Sequence, residues 1–166
     1  MTRLAALLIA VIASSGCASD GADEPSCEPG DSALPESGIA IGVGDPGAFR
    51  EVEDAGTLEL VLGNQGGWMV LPVMRLEMGD VDMDCLSASV GVDLRILDSD
   101  LTAAVPETQV AFTEANGAWY SDPLYVFLSL DVADLEGQHA ALAASVSLAG
   151  DDAVVEVDDV TLVNAE

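Results

Sequence analysis

Apolar residues fall on alternate positions over much of this chain, the spacing that turns one face of a β-strand to a core and the other to water. Residues 57–77 carry the strongest instance. Leu58, Leu60 and Leu62 share one face, and Glu59 is turned the other way. Gly63-Asn64-Gln65-Gly66-Gly67 then reverses the chain, because glycine takes the positive φ angles that tight reversals use. Residues 68–77 run back as a longer, nearly all-apolar strand, the pattern of a central strand buried on both sides.

The same period of two predicts the neighbouring strands. Residues 39–44 form a short first strand, and Asp45-Pro46-Gly47 turns it so that Phe49 and Val52 pack over the sheet edge. Residues 86–97 set Val90, Val92, Leu94 and Ile96 on one face, with Asp93 and Arg95 on the other. Residues 101–106 are too rich in alanine to assign. A short strand over 108–113 leads to the turn pair Asn116-Gly117, and residues 124–130 are strand-like again. Residues 134–137 read as a loop. Ala140, Leu142, Ala144, Val146 and Leu148 then share a face at period two, which outweighs the helical leaning of the alanines. Ala149-Gly150-Asp151-Asp152 turns the chain into a last strand over 154–163, where Asp158-Asp159 marks a bulge or kink. Seven or eight strands at this spacing predict an all-β domain, an antiparallel β-sandwich over residues 38–166.

Charge changes the picture next. The 166 residues hold 30 Asp and Glu against four Arg and no Lys. Such a surface repels phosphate backbones and anionic membranes, which argues against nucleic acid as a partner and leaves cations and basic partners open. Acidity also serves solubility alone. Half the residues are hydrophobic, enough for one domain with a real core.

The N-terminus departs from the strand pattern. Arg3 precedes an unbroken apolar run over residues 4–13. Ten residues span only about 15 Å as a helix, too short for a bilayer but suited to a signal-peptide core. Ser15-Gly16-Cys17 follows, and the segment resembles a bacterial lipoprotein lipobox, with Ser14 where that family usually has Leu. The resemblance implies that residues 1–16 are a signal peptide and that Cys17 is lipidated and becomes the mature N-terminus. The protein would then be exported and held to a membrane by its acyl chains, each buried methylene contributing about 0.8 kcal/mol. Ala18 after the cysteine implies, by the same analogy, delivery to an outer membrane or cell surface. Export would also remove Arg3, leaving three arginines against 30 acids, a formal charge of −27. Residues 17–37, rich in Ser, Gly, Asp, Glu and Pro, read as the lipidated cysteine and a flexible acidic tether. With Cys17 taken by lipid, Cys27 and Cys85 most simply form one disulfide in an oxidising compartment.

Two further resemblances concern the domain. Leu135-x-Gly137, an alternating strand, an acidic turn and a final strand are similar to the closing hairpin of immunoglobulin-like bacterial surface domains. That likeness implies an immunoglobulin-like sandwich with Trp68 in its core. No cysteine pair bridges two core strands as in antibody domains. Gly63-Asn64-Gln65-Gly66-Gly67-Trp68 resembles a turn of an uncharacterised family of exported bacterial lipoproteins, and implies no activity.

Candidate chemistry is sparse. No Cys-x-x-Cys, Cys/His cluster or Gly-x-Ser-x-Gly elbow occurs, so zinc, redox and hydrolase motifs lack support. His139 is the sole histidine and reads as a surface residue, although a Ser-His-Asp arrangement assembled in space stays open. Met69, Met74, Met78 and Met83 invite a copper reading, since thioethers suit Cu(I). Met69 and Met74 lie five apart and face opposite sides of one strand, so core packing explains them better. Trp119 and Tyr120 offer either an aromatic binding ledge or, as preferred, a buried core edge. The chain therefore reads as a non-catalytic binding or structural module for a protein or glycan partner. The alternative is a small exported hydrolase with a loop-built site.

Asp80-x-Asp82-x-Asp84 has the spacing of a Ca²⁺ loop, three carboxylates able to converge on one hard cation. Cys85 stands where an EF-hand has Gly, and Gly91 where it has Glu, so an ordinary solvated acidic loop competes with the metal site. A bound ion would stabilise the fold by about 2.7 kcal/mol at a hundredfold excess over Kd. General screening of the acidic surface stabilises too. The expected outcome is an equal rise in melting temperature with Ca²⁺ and Mg²⁺ at matched ionic strength, unchanged in Asp82→Asn. A larger, Asp82-dependent rise with Ca²⁺ establishes the site instead.

Overall fold

The computed structural model describes residues 33–35, 37–64, 66–78 and 86–165. Cys17, Cys27 and Cys85 lie outside these residues, as do Asp80, Asp82, Asp84 and Met83. Within them the chain is all-β. Its strands are β1 (Ile39–Val43), β2 (Arg50–Glu51), β3 (Gly56–Leu62), β4 (Trp68–Val70), β5 (Val73–Leu76), β6 (Leu86–Ile96), β7 (Thr102–Ala115), β8 (Ala118–Ser121), β9 (Val126–Leu128), β10 (His139–Leu148) and β11 (Asp151–Asn164). Pro46–Ala48 make a 3-10 turn, and the expected loop after β9 contains one turn of helix, α1 (Val132–Leu135). The strands join in one curled sheet, ordered β2-β1-β5-β8-β7-β6-β10-β11-β3-β4-β9. Eleven strands thus stand where seven or eight are predicted. The sheet is mixed rather than purely antiparallel, because β11 runs parallel to β3, with Val160 opposite Gly56 and Asn164 opposite Leu60.

The long strands follow the alternating pattern closely. Along β10 the residues Ala140, Leu142, Ala144, Val146 and Leu148 are buried, and the positions between them are more open. On β6, Val90, Val92, Leu94 and Ile96 are buried while Asp93 and Arg95 are exposed. These faces and Leu58, Leu60, Val160 and Leu162 from β3 and β11 form one continuous core. Asp158 and Asp159 form the expected bulge, two residues opposite the single Ala141, since Val160 faces Ala140 and Val157 faces Leu142. Asn116 and Gly117 both take positive φ, 54° and 80°, and close the tight β7–β8 turn. The alanine-rich stretch left unassigned by the sequence is the first part of β7.

Residues 57–77 differ most from expectation. The hairpin of β3 and β4 pairs only Val61 with Met69 and Leu62 with Trp68. The expected long return strand breaks at Leu71-Pro72, and its halves serve different neighbours: β4 pairs with β3 and β9, β5 with β1 and β8. Pro72 has no N–H for a ladder, which favours a break there. Its carbonyl still accepts the Leu124 N–H at 2.8 Å, and the Met74 N–H donates to the Ser121 hydroxyl at 2.9 Å. Between these bonds Val73 faces two residues, Asp122 and Pro123, a β-bulge that bends the ribbon. Past the bend, β9 packs across the core onto β6 and β7.

Phe49 covers the outer face beside this corner, while Val52, expected beside it over the sheet edge, is buried in the main core. The Phe49 ring lies so close to Gly42 that a β-carbon there would approach ring carbon to 2.4 Å. The ring meets Tyr120 edge-on at 5.4 Å and lies 5.2 Å under the Arg75 guanidinium. Arg75 is held between Glu51 at 3.4 Å and Glu77 at 3.2 Å.

Ser121→Ala removes the partner of the buried Met74 N–H, a loss expected to cost about 1–3 kcal/mol in urea unfolding. Ser147→Ala removes a surface hydroxyl bonded to Asp152 and is expected to change stability by less than about 0.5 kcal/mol. Similar effects of the two substitutions would remove Ser121 from its place at the corner.

Candidate functional site

The surface past the corner is built from β3, β4 and β9. Each strand offers apolar residues to both faces. Val70 and Val126 turn inward and are fully buried. On the outer face Val61, Met69 and Phe127 lie in one cross-strand row. The same register sets Leu71 beside Tyr125 in the next row. Phe127 is 60% exposed and Tyr125 56%, the two exposed aromatic side chains among the described residues, and they share this face. Leu62, also exposed, lies on the other face of β3, in the row of Trp68 and Leu128. Grouped exposed aromatics of this kind mark interaction sites more often than scattered ones do.

The backbone of β9 adds a second feature. As the last strand of the sheet it pairs, among the described residues, only with β4. Leu124 N–H bonds toward Pro72, and antiparallel hydrogen-bonded pairs alternate along a ladder. Val126 and Leu128 therefore also bond toward β4, and the N–H and C=O groups of Tyr125 and Phe127 face the open side. On the far side of β4, Gly63 N–H bonds to Gly67 O at 2.8 Å, which aims Met69 at β3 and agrees with this phase. The other edge of the sheet, β2, is two charged residues long, a form that discourages pairing. At β9 the residues facing outward are aromatic.

Carboxylates flank the edge. Asp122 is exposed just before β9, and Asp131 and Asp134 are exposed just after it. Asp131 and Asp134 line a shallow trough of about 390 Å³ with Trp68, Leu128 and Leu130. The described arginines stand on other strands: Arg50 on β2 beside Glu59 at 3.2 Å, Arg75 on β5, and Arg95 on β6.

The residues singled out from sequence are dispersed. Trp119 and Tyr120 are buried in β8, 4% and 7% exposed, the core-edge reading rather than the ledge. Met74 is in the core, and Met69 is buried on the opposite face, as their spacing predicts. Trp68 is half-buried and packs against the core. His139 is the first residue of β10, not part of a loop, and its Nδ1 lies 2.7 Å from Asp159 Oδ1, both groups about half exposed. A hydrolytic triad adds a serine nucleophile to a pair of this kind. Among the described residues, the hydrogen-bonded serine hydroxyls engage other partners: Ser87 with Gln109, Ser99 with Leu101, Ser121 with Met74 and Ser147 with Asp152. No group of three His, Cys, Asp or Glu among the described residues is placed to hold a metal. Tyr125 and Phe127 were readable only as part of a strand. Leu124, Val126 and Leu128 alternate with them, so both faces are apolar and the pattern does not say which one is exposed.

Because Tyr125 and Phe127 are exposed, Tyr125→Ala and Phe127→Ala are each expected to shift stability by about 0.5 kcal/mol or less. Together they should lower the fluorescence of bound Nile red, a neutral probe that the acidic surface does not repel. Unfolding of either variant would show that the rings hold the fold together instead. No protein-family model, curated protein or solved structure matches the chain.

Proposed function

We propose that this protein is a lipid-anchored cell-envelope module that works by binding, not by catalysis, and that its binding surface is the aromatic face at β9. The observation that carries this reading is the exposure of Tyr125 and Phe127 together on the outer face of β9, at the last strand of the sheet. A monomer with no partner gains nothing by leaving such residues exposed next to an unpaired edge. The acidic tether and the Cys17 lipid would hold this surface at a distance from the membrane. The outer membrane or cell surface is the proposed location, and a protein or glycan the proposed class of partner.

At the level of fold, we propose an immunoglobulin-like sandwich. In it the β3-β4-β9 end forms a short second layer against the longer part of the sheet. The packing of β9 onto β6 and β7 and the half-buried Trp68 support that layering. A disulfide between Cys27 and Cys85 is proposed to tie the tether to the domain. The alternative, a small exported hydrolase, draws its support from the His139–Asp159 pair. It requires a nucleophile brought to that pair, and esterase activity abolished by His139→Ala would favour it.

Replacing Cys17 by Ser tests the anchor. The parent is expected to take up labelled fatty acid and to sediment with membranes, and the variant to do neither. Equal membrane association of both chains, without label in either, would overturn the anchored reading.

A further inference from the structure

We infer that the open edge of β9 takes up an extended, basic segment of a partner protein as an added strand. The inference rests on the proposed binding role of this face and names the chemistry of its occupant. Three observations converge on it. The N–H and C=O groups of Tyr125 and Phe127 face away from β4, so a strand laid alongside finds main-chain partners already in register. The rings of those two residues flank the same edge on the outer face, where they cover alternate side chains of the incoming strand. Asp122 lies at one end of the edge, and Asp131 and Asp134 line the trough at the other.

Charge decides among the occupants. A second copy of this chain would bring a formal −26 against −26 and set the same carboxylates opposite one another. A segment carrying Lys or Arg meets opposite charge at both ends. Alternating basic and apolar residues suit the site best, with apolar groups toward the rings and ammonium groups toward the aspartates. The edge is short and begins after Pro123, which limits the added pairing to a few residues.

The full-length protein in neutral detergent is titrated at 0.15 M salt with a capped Lys-Val-Lys-Val-Lys-Val-Lys peptide. The controls are its Glu-Val counterpart and a Lys-Val peptide N-methylated at alternate amides. The expected result is binding of the Lys-Val peptide at least roughly tenfold tighter than either control. Methylation leaves the charge in place and removes main-chain donors, so equal binding of the methylated peptide would overturn strand addition. Phe127→Pro removes an outward N–H without touching the ladder to β4 and is expected to weaken binding roughly tenfold, while Phe127→Ala weakens it several-fold through the lost ring. Should the proline variant fail to fold, amide exchange of the parent decides: the Tyr125 and Phe127 amides gain protection on peptide addition, and unchanged exchange at both overturns the proposal. Preference for the Glu-Val peptide, or binding of neither peptide, overturns the basic occupant. It leaves intact a lipid-anchored binding module, whose own failure is read from Cys17→Ser.

Discussion

The bend at Pro72 and Pro123 is the constraint on which the rest of the fold depends. Two chain segments, residues 68–76 and 118–128, run antiparallel to each other on both sides of the bend. Before it, β5 and β8 lie in the middle of the curled sheet; after it, β4 and β9 form its last strands, and β9 packs against β6 and β7. Unbroken strands would have kept both segments in one layer and left the core face of β6 and β7 without β9 to cover it. The bend survives because its backbone groups are satisfied: Pro72 O receives Leu124 N–H, and the Ser121 side chain receives the Met74 N–H. A buried N–H without a partner costs about as much as a good part of a domain's net stability, so one hydroxyl placed there has wide consequences.

The closing of the chain answers the same geometric demand. Curling brings the last strand beside an early one, and the only neighbour left for β11 is β3, which runs in the same direction. That parallel pair buries Leu58, Leu60, Val160 and Leu162 together. Arg50 of β2, at one end of the sheet order, reaches Glu59 of β3, which shows that this end curls back beside β3. An exposed ion pair of this kind adds little stability. The apolar faces carry the closure.

The two sheet edges are treated in opposite ways, and the difference bears on function. The β2 edge is two residues long and charged, and Phe49, Tyr120 and Arg75 cover the sheet face beside it. The β9 edge keeps aromatic rings in water beside unpaired backbone groups, among carboxylates and without an arginine on β4 or β9. A general acidic surface explains solubility. It does not explain aromatic residues at the edge strand whose own residues carry no charge.

The sequence alone determined most strands and turns, because alternation, Asn116-Gly117, Ala149-Gly150 and the bulge at Asp158-Asp159 are local patterns with local physical causes. It also set the acidity that restricts the class of partner. What it did not determine was the sharing of one apolar run between two parts of the curled sheet, since residues 68–77 read the same whether straight or bent. Pro72 was visible, but its consequence depended on Ser121 and Leu124, some fifty residues away, arriving to satisfy the backbone. The parallel β3–β11 pair likewise has no signature in either strand. The exposure of Tyr125 and Phe127 was settled in the same way: where a strand is apolar on both faces, only the layer that packs against it decides which face remains in water.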